Sequence, residues 1–416
     1  MDHMLRRDAE TIVRAAIAAV CPDEAVGRAL GGLRFPGRVF LVSVGKAGWQ
    51  MAQAAVQCLE TPIAGGVVLT KYGHVMGEIP GAVCYEAGHP VPDGNSFRGT
   101  QAVLELTEKL LPLDTVLFLL SGGGSALFEK PLIPAGELRD VTEQLLACGA
   151  DIVEMNTIRK RLSAVKGGRF ARWCAPARVE AVILSDIVGD PLDMIASGPA
   201  AADPSTCGQA RAVVEKYGLR LSPAALACLE LETPKSVENV HTQIIGSVRE
   251  LCRAAAAKCG ELGYHAEILT DRLGGEAREA GAWLARALQA LPSGSGKTAL
   301  IAGGETVVHV TGPGLGGRNQ ELALAAAEVL RGMDGAAVIS VGSDGTDGPT
   351  DAAGGYADGK TCGALEALGI HIPDVLRRND AYHALEAVDG LIRTGPTGTN
   401  VNDVAVALLR RHGEET

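Results

Sequence analysis

The chain has 416 residues, of which 47 % are hydrophobic and only 4 % aromatic, with 53 glycines and a formal net charge of −11. That length points to two domains with full cores, and the charge leaves no basic footprint for DNA or RNA. No apolar run approaches the roughly 18 residues of a membrane span, and ten dispersed cysteines without a C-x-x-C read as reduced thiols of a cytoplasmic protein.

In chain order, "MDHMLRRDAETIVRAAIAAV" predicts an amphipathic helix starting near Asp8; Glu10 and Arg14 interrupt any export-signal core. Apolar strands of five to seven residues then alternate with helical patterns, the signature of a mostly parallel sheet covered on both faces. In such sheets ligands gather at the carboxyl ends of the strands. "VFLVSVGKAGWQMAQAAV" reads as strand, Gly45, Lys46, Ala47, Gly48, helix. A Lys at a helix start is opposed by the macrodipole and calls for an anion nearby. "TVLFLLSGGGSALFEKP" runs a six-residue strand into Ser121, Gly122, Gly123, Gly124 and Ser125, where amides can meet a phosphate directly. "MNTIRKRLSAVKGGR" puts Asn156, Arg159, Lys160 and Lys166 on a helix and loop as a second set of phosphate contacts, against the plainer reading of a solvated basic face. "EAVILSDIVGDPLDMIASGP" places Asp186 directly after a strand, followed by Asp190 and Asp193. A composition change across 231–243 marks the boundary, giving domains 1–237 and 238–416.

Beyond the boundary, "SGSGKTALI" (293–301) contains Gly-Lys-Thr, but Leu291 stands where a phosphate loop has its first glycine, and a strand follows instead of a helix. A Ser-Gly linker between a helix over 275–290 and a strand over 298–302 accounts for it. "TVVHVTGPGLGGRNQELAL" gives a literal G-x-G-x-x-G at Gly312, Gly314 and Gly317, expected between a strand and a helix, so a dinucleotide-dependent reductase enters the field. The acidic residue that should follow about 20 residues on is missing: Asp334 precedes the next strand and Asp344 lies about 27 residues past Gly317. Arg318, with Asn319, opens that helix and could hold a carboxylate or phosphoryl group bidentately. Asp344, Asp347 and Asp351 in "GSDGTDGPTDAAGG" fail the calcium-loop spacing, the nine histidines match no zinc pattern, and no G-x-S-x-G is present.

With these segments laid out, the chain resembles the class II glycerate kinases, the glycerate 2-kinase family with a C-terminal MOFRL domain, some members of which are labelled hydroxypyruvate reductases. The resemblance runs from about residue 8 to residue 410, through "VGKAG", "EAGHPVPDGNS", "LSGGGSALFEKP", "MNTIRKRLSAVKGGR", "SDIVGDPLDMIASGP", "GGETVVHVTGPGLGGRNQELAL", "GSDGTDGPTDAAGG" and "GPTGTNVNDV". It implies a larger Rossmann-like N-terminal α/β domain, a smaller α/β MOFRL domain and an active site in the cleft between them. There D-glycerate would be phosphorylated at its 2-hydroxyl with ATP and magnesium. It also implies a catalytic pair, here Lys46 and Arg318. Which of them meets the phosphoryl group and which the glycerate carboxylate stays open. Our own expectations add Ser121 to Ser125 for the ATP phosphates, Asp186 or Asp190 with Asp344 for magnesium, Asp186 as a candidate base and Asn319 for substrate. The partners expected are small molecules, with no nucleic acid or membrane, and a homodimer as one assembly. The competing reading is an NAD(P)H-dependent hydroxypyruvate reductase.

Overall fold

The structure, a computed structural model, describes residues 2–292 and 296–410. Ser293 to Ser295, the start of the Gly-Lys-Thr stretch, lie outside the described residues. The chain forms two compact units, one of Pro22–Ile245 and one of Met1–Cys21 with Gly246–Thr416.

The first unit is built on six strands: β1 Val39–Val44, β2 Gly65–Lys71, β3 Ala82–Ala87, β4 Thr115–Leu120, β5 Arg178–Leu184 and β6 Val240–Gly246, in the order β3-β2-β1-β4-β5-β6. The β1–β2, β2–β3, β1–β4 and β4–β5 pairs are all parallel. β1 and β4 are buried at every position, as their unbroken apolar runs require of parallel strands covered on both faces. Below the sheet Phe118, Phe128 and Phe170 pack with ring centroids 5.0 to 5.9 Å apart. This strand order reverses between β1 and β4, and that reversal opens the crevice where doubly wound sheets take ligands. Val44 pairs with Leu120, so both strands deliver their loops to the same level.

The second unit carries β7 His265–Leu273, β8 Lys297–Gly304, β9 Ala336–Gly342, β10 Gly354–Asp358, β11 Leu391–Ile392 and β12 Asp403–Arg410, ordered β11-β10-β9-β12-β8-β7. Only β7–β8 is parallel among its described pairs; β12 runs antiparallel to both β8 and β9, so this sheet is mixed. The N-terminal helix spans His3–Ala19 and starts earlier than expected, because Asp2 caps it while Asp8 is buried and accepts from the Tyr264 hydroxyl at 2.9 Å. Its apolar stripe of Leu5, Ala9, Ile12, Val13 and Ala16 is buried within this unit. The N-terminal residues therefore group with the C-terminal half, whereas the sequence expectation kept them with residues up to 237. Strand β6 likewise completes the first sheet beyond residue 237. Lys297 and Thr298 open β8, and the Lys297 ammonium donates to Leu262 O at 3.1 Å. Among the described residues no helix is long and apolar enough to cross a membrane.

Candidate active site

At the reversal the loops after β1 and β4 are stitched together. Lys46 N donates to Gly122 O at 2.9 Å, Ala47 N to Ser121 Oγ at 3.1 Å, and Ser121 N to Val44 O at 2.9 Å. Gly45 at φ 127° makes this possible: any side chain there would run into Ser121. Gly123 at φ 88° turns the chain into the short helix Gly124–Leu127. The amides of Gly122, Gly123, Gly124 and Ser125 donate to nothing among the described residues, which makes the loop an open anion nest. A Cβ at Gly122 would overlap the Asp186 carboxylate, and one at Gly123 would lie 3.2 Å from Lys46 Cγ and 3.0 Å from the His89 ring. Lys46 is half-buried, and its ammonium has no partner among the described residues.

The basic cluster behaves differently from expectation. Lys166 is fully buried, donates to Ser125 O and Phe128 O at 2.9 Å each and pairs with Glu129 at 3.1 Å. Burial pushes its ammonium below the usual lysine range, and Glu129 opposes that. Arg159 also reaches Ser125 O, at 3.3 Å. Lys160 is buried between Asp193 at 3.0 Å and Asp203 at 3.1 Å. In this structure these cations grip the protein itself, so they act as the scaffold behind the nest and not as its surface. Asn156 accepts from Ser197 Oγ at 2.7 Å, and Ser197 lies 3.0 Å from Ser125 Oγ. Ala196 and Ser197 hold φ of 50° and 62°, left-handed values uncommon away from glycine, and Ala196 packs against Gly124.

Of the proposed metal ligands, Asp186 stands against Gly122, Asp190 sits at φ 53° on the same β5 loop, and Asp344 in the second unit accepts from Thr346 N at 3.0 Å. No three metal-ligating side chains gather among the described residues. A magnesium ion would thus depend on phosphate oxygens and water to complete its shell, which is its ordinary habit.

In the second unit Arg318 opens the helix Arg318–Val329. Its Nε and Nη2 hold both oxygens of Asp403 at 2.6 and 3.0 Å, and Nη1 reaches Glu305 at 2.8 Å. Burial pushes the Asp403 carboxyl up to about 6 despite the arginine, because desolvation outweighs the pairing. Asn319 is buried, with its amide on Asp347 at 3.1 Å and its Oδ1 accepting from Ser340 at 2.6 Å. Asp347 also takes the Gln320 amide, capping the helix. Sequence reasoning missed Glu129, Ser197, Glu305 and Asp403, none of which falls in a recognisable spacing. His89 stood inside "EAGHPVPDGNS" without a role.

The G-x-G-x-x-G needs correction. No strand leads into it: β8 ends at Gly304, and of residues 305–311 only Val307 makes an isolated bridge. Three of its amides are spent on the protein, Gly312 N on Asn379 Oδ1 at 2.9 Å, Gly314 N on Arg378 O at 2.9 Å and Leu315 N on Asp380 at 3.1 Å. A Cβ on Gly314 would lie 2.5 Å from Arg378 O. Gly312 and Gly314 therefore admit the neighbouring 378–380 segment where the dinucleotide fingerprint would admit a pyrophosphate.

Comparison with known proteins agrees with this layout. A family model described as "Domain of unknown function (DUF4147)" matches residues 8–230, and one described as "MOFRL family" matches residues 298–403. A relative from Thermotoga maritima named D-glycerate 2-kinase is 51% identical over 411 residues, covering 97% of this chain and 98% of its own. One from Pyrococcus horikoshii named glycerate 2-kinase is 39% identical, covering 90% and 88%. A crystal structure of glycerate kinase from Thermotoga maritima superposes with a TM-score of 0.92 at 50% identity, covering 98% of this chain and 99% of that one. On these matches the chain belongs to the class II glycerate kinase family.

Proposed function

We propose that the protein is an ATP-dependent glycerate 2-kinase that converts D-glycerate to 2-phosphoglycerate and ADP. The observation that carries this reading is the nest at the strand-order reversal: four consecutive amides from Gly122 to Ser125 beside the Lys46 ammonium, all without partners among the described residues. Phosphoryl transfer asks a protein mainly for positioning and for charge where charge develops. The amides supply the first by receiving phosphate oxygens, and Lys46 supplies the second. Asp186 and Asp190 would hold magnesium, which would supply positive charge against the phosphates when bound. Arg318, fixed by Asp403, offers its remaining N–H groups to an anion, which for this reaction is the glycerate carboxylate or the transferring phosphoryl group. The reductase alternative loses support because no strand leads into the glycine fingerprint and the amides of Gly312, Gly314 and Leu315 are spent on the 378–380 segment.

The test is a pair of assays. Glycerate with ATP and magnesium should release ADP, and hydroxypyruvate with NADH or NADPH should leave absorbance at the nicotinamide band unchanged. Lys46→Ala and Arg318→Ala should each lower turnover on the order of 10²-fold or more, as for loss of a preorganised charge. Wild-type rates in both variants would defeat the assignment.

A further inference from the structure

We propose that His89 is the group that takes the proton from the acceptor hydroxyl, its imidazole standing beside Lys46 over Gly123. The inference rests on the kinase reading and adds the base which that reading lacks. The Cδ2–Nε2 edge of the ring faces Gly123: a Cβ built there would be 3.0 Å from Cδ2 and 3.1 Å from Nε2. Neither ring nitrogen has a hydrogen-bond partner among the described residues, and the residue is half-buried. An ordinary structural histidine in such a place would satisfy at least one nitrogen. Here the imidazole joins two ammonium groups, those of Lys46 and Lys71, that also lack partners among the described residues.

The loop that carries it is held firmly. Asp93 caps the helix Gly94–Leu106 through a reciprocal bond with Ser96 and accepts from the Tyr72 hydroxyl at 2.6 Å, while Asn95 Nδ2 donates to Glu86 O at 3.1 Å. The charged groups on the surrounding elements are Lys46 after β1, Lys71 at the end of β2, Asp93 on the same loop and Asp186 behind Gly122. Burial first, then Lys46 and Lys71, push the imidazole below its usual range, so it is neutral and able to accept a proton at physiological pH. A polyphosphate lying on the nest would cancel the two ammonium charges, and the ring would regain proton affinity when substrate is in place. The step balances: the 2-hydroxyl oxygen bonds to the γ-phosphorus, the bond from that phosphorus to the β–γ bridging oxygen breaks, ADP leaves with its electron pair, and the hydroxyl proton passes to Nε2 and on to solvent.

The test compares the wild-type enzyme, His89→Gln and His89→Ala. If the wild type does not phosphorylate glycerate, the kinase reading itself fails. Given an active wild type, His89→Gln should lose on the order of 10²-fold or more in kcat while KM for ATP and glycerate stays within about threefold. The acid-side fall of kcat/KM should become shallower in that variant, and added imidazole should restore part of the activity of His89→Ala. A His89→Gln enzyme with kcat near wild type, or with its defect confined to KM for ATP, would overturn the proposal. So would a wild-type profile with no acid-side fall, which needs no variant to fold.

Discussion

Replacing Lys166 by methionine removes the buried ammonium that ties the nest to its scaffold. The variant leaves Glu129 as a buried carboxylate, 1 % exposed, whose Oε1 has no partner among the described residues and whose Oε2 loses its ion pair with Lys166. It also strips one donor from Ser125 O and one from Phe128 O. Breaking one side of a buried pair costs about 3–5 kcal/mol. For a unit of this size each kcal/mol lowers Tm by about 2–4 °C, so the first unit should melt on the order of 6–20 °C lower. Adding Glu129→Gln removes the stranded charge and should return more than half of the loss. Far-UV circular dichroism melts of wild type, both single variants and the double variant close the cycle. A Lys166→Met protein melting within about 1 °C of wild type, or a double variant no better than the single, would refute the claim that this lysine is a structural clamp.

Gly122→Ala puts a methyl group into the Asp186 carboxylate; kcat/KM should fall on the order of 10²-fold with little change in Tm, and unchanged kinetics would show that the two do not share the site. Gly314→Ala places a methyl 2.5 Å from Arg378 O and 2.6 Å from Asp380 Cβ, so it should destabilise by about 1–3 kcal/mol, and NADH should not restore the melting point; a variant as stable as wild type would contradict the packing role. Asp403→Asn tests the pH linkage. The folded carboxyl sits near 6, above its unfolded value of about 3.9, so its contribution is fully present below pH 4 and is lost as pH rises through 6. Wild type should therefore gain stability over the variant as pH falls from 7 to 4, while the variant loses about tenfold or more in kcat/KM at pH 8 because Arg318 loses its anchor. A stability difference that is flat across that range would be the wrong outcome.

Much of this was legible in the residues. Unbroken apolar runs ending in glycine are what parallel strands buried on both faces look like, so β1, β4 and β5 and the loops after them could be located by pattern. The glycine loop at Ser121 to Ser125 and Lys46 stood out from chain chemistry alone as an expected anion site. Contacts between distant segments could not be read. Nothing in "MNTIRKRLSAVKGGR" says that Lys166 finds Glu129 or that Lys160 finds Asp193 and Asp203, and a basic cluster on an open surface has the same sequence as one folded inward. The glycine fingerprint misled for a related reason. Glycines that admit a ligand and glycines that admit the Arg378–Asp380 segment are identical until the neighbour is known. The N-terminal helix joined the far half of the chain because its apolar stripe needed a cover that its own sequence could not name.

Phosphorus NMR of the reaction mixture tests the central claim most directly. With D-glycerate, ATP and magnesium, the account predicts equimolar ADP and a single new phosphomonoester whose phosphorus couples to the lone proton on carbon 2. A resonance coupled to a methylene pair, marking the 3-phosphate, or ATP left intact beside unreacted glycerate, would contradict it.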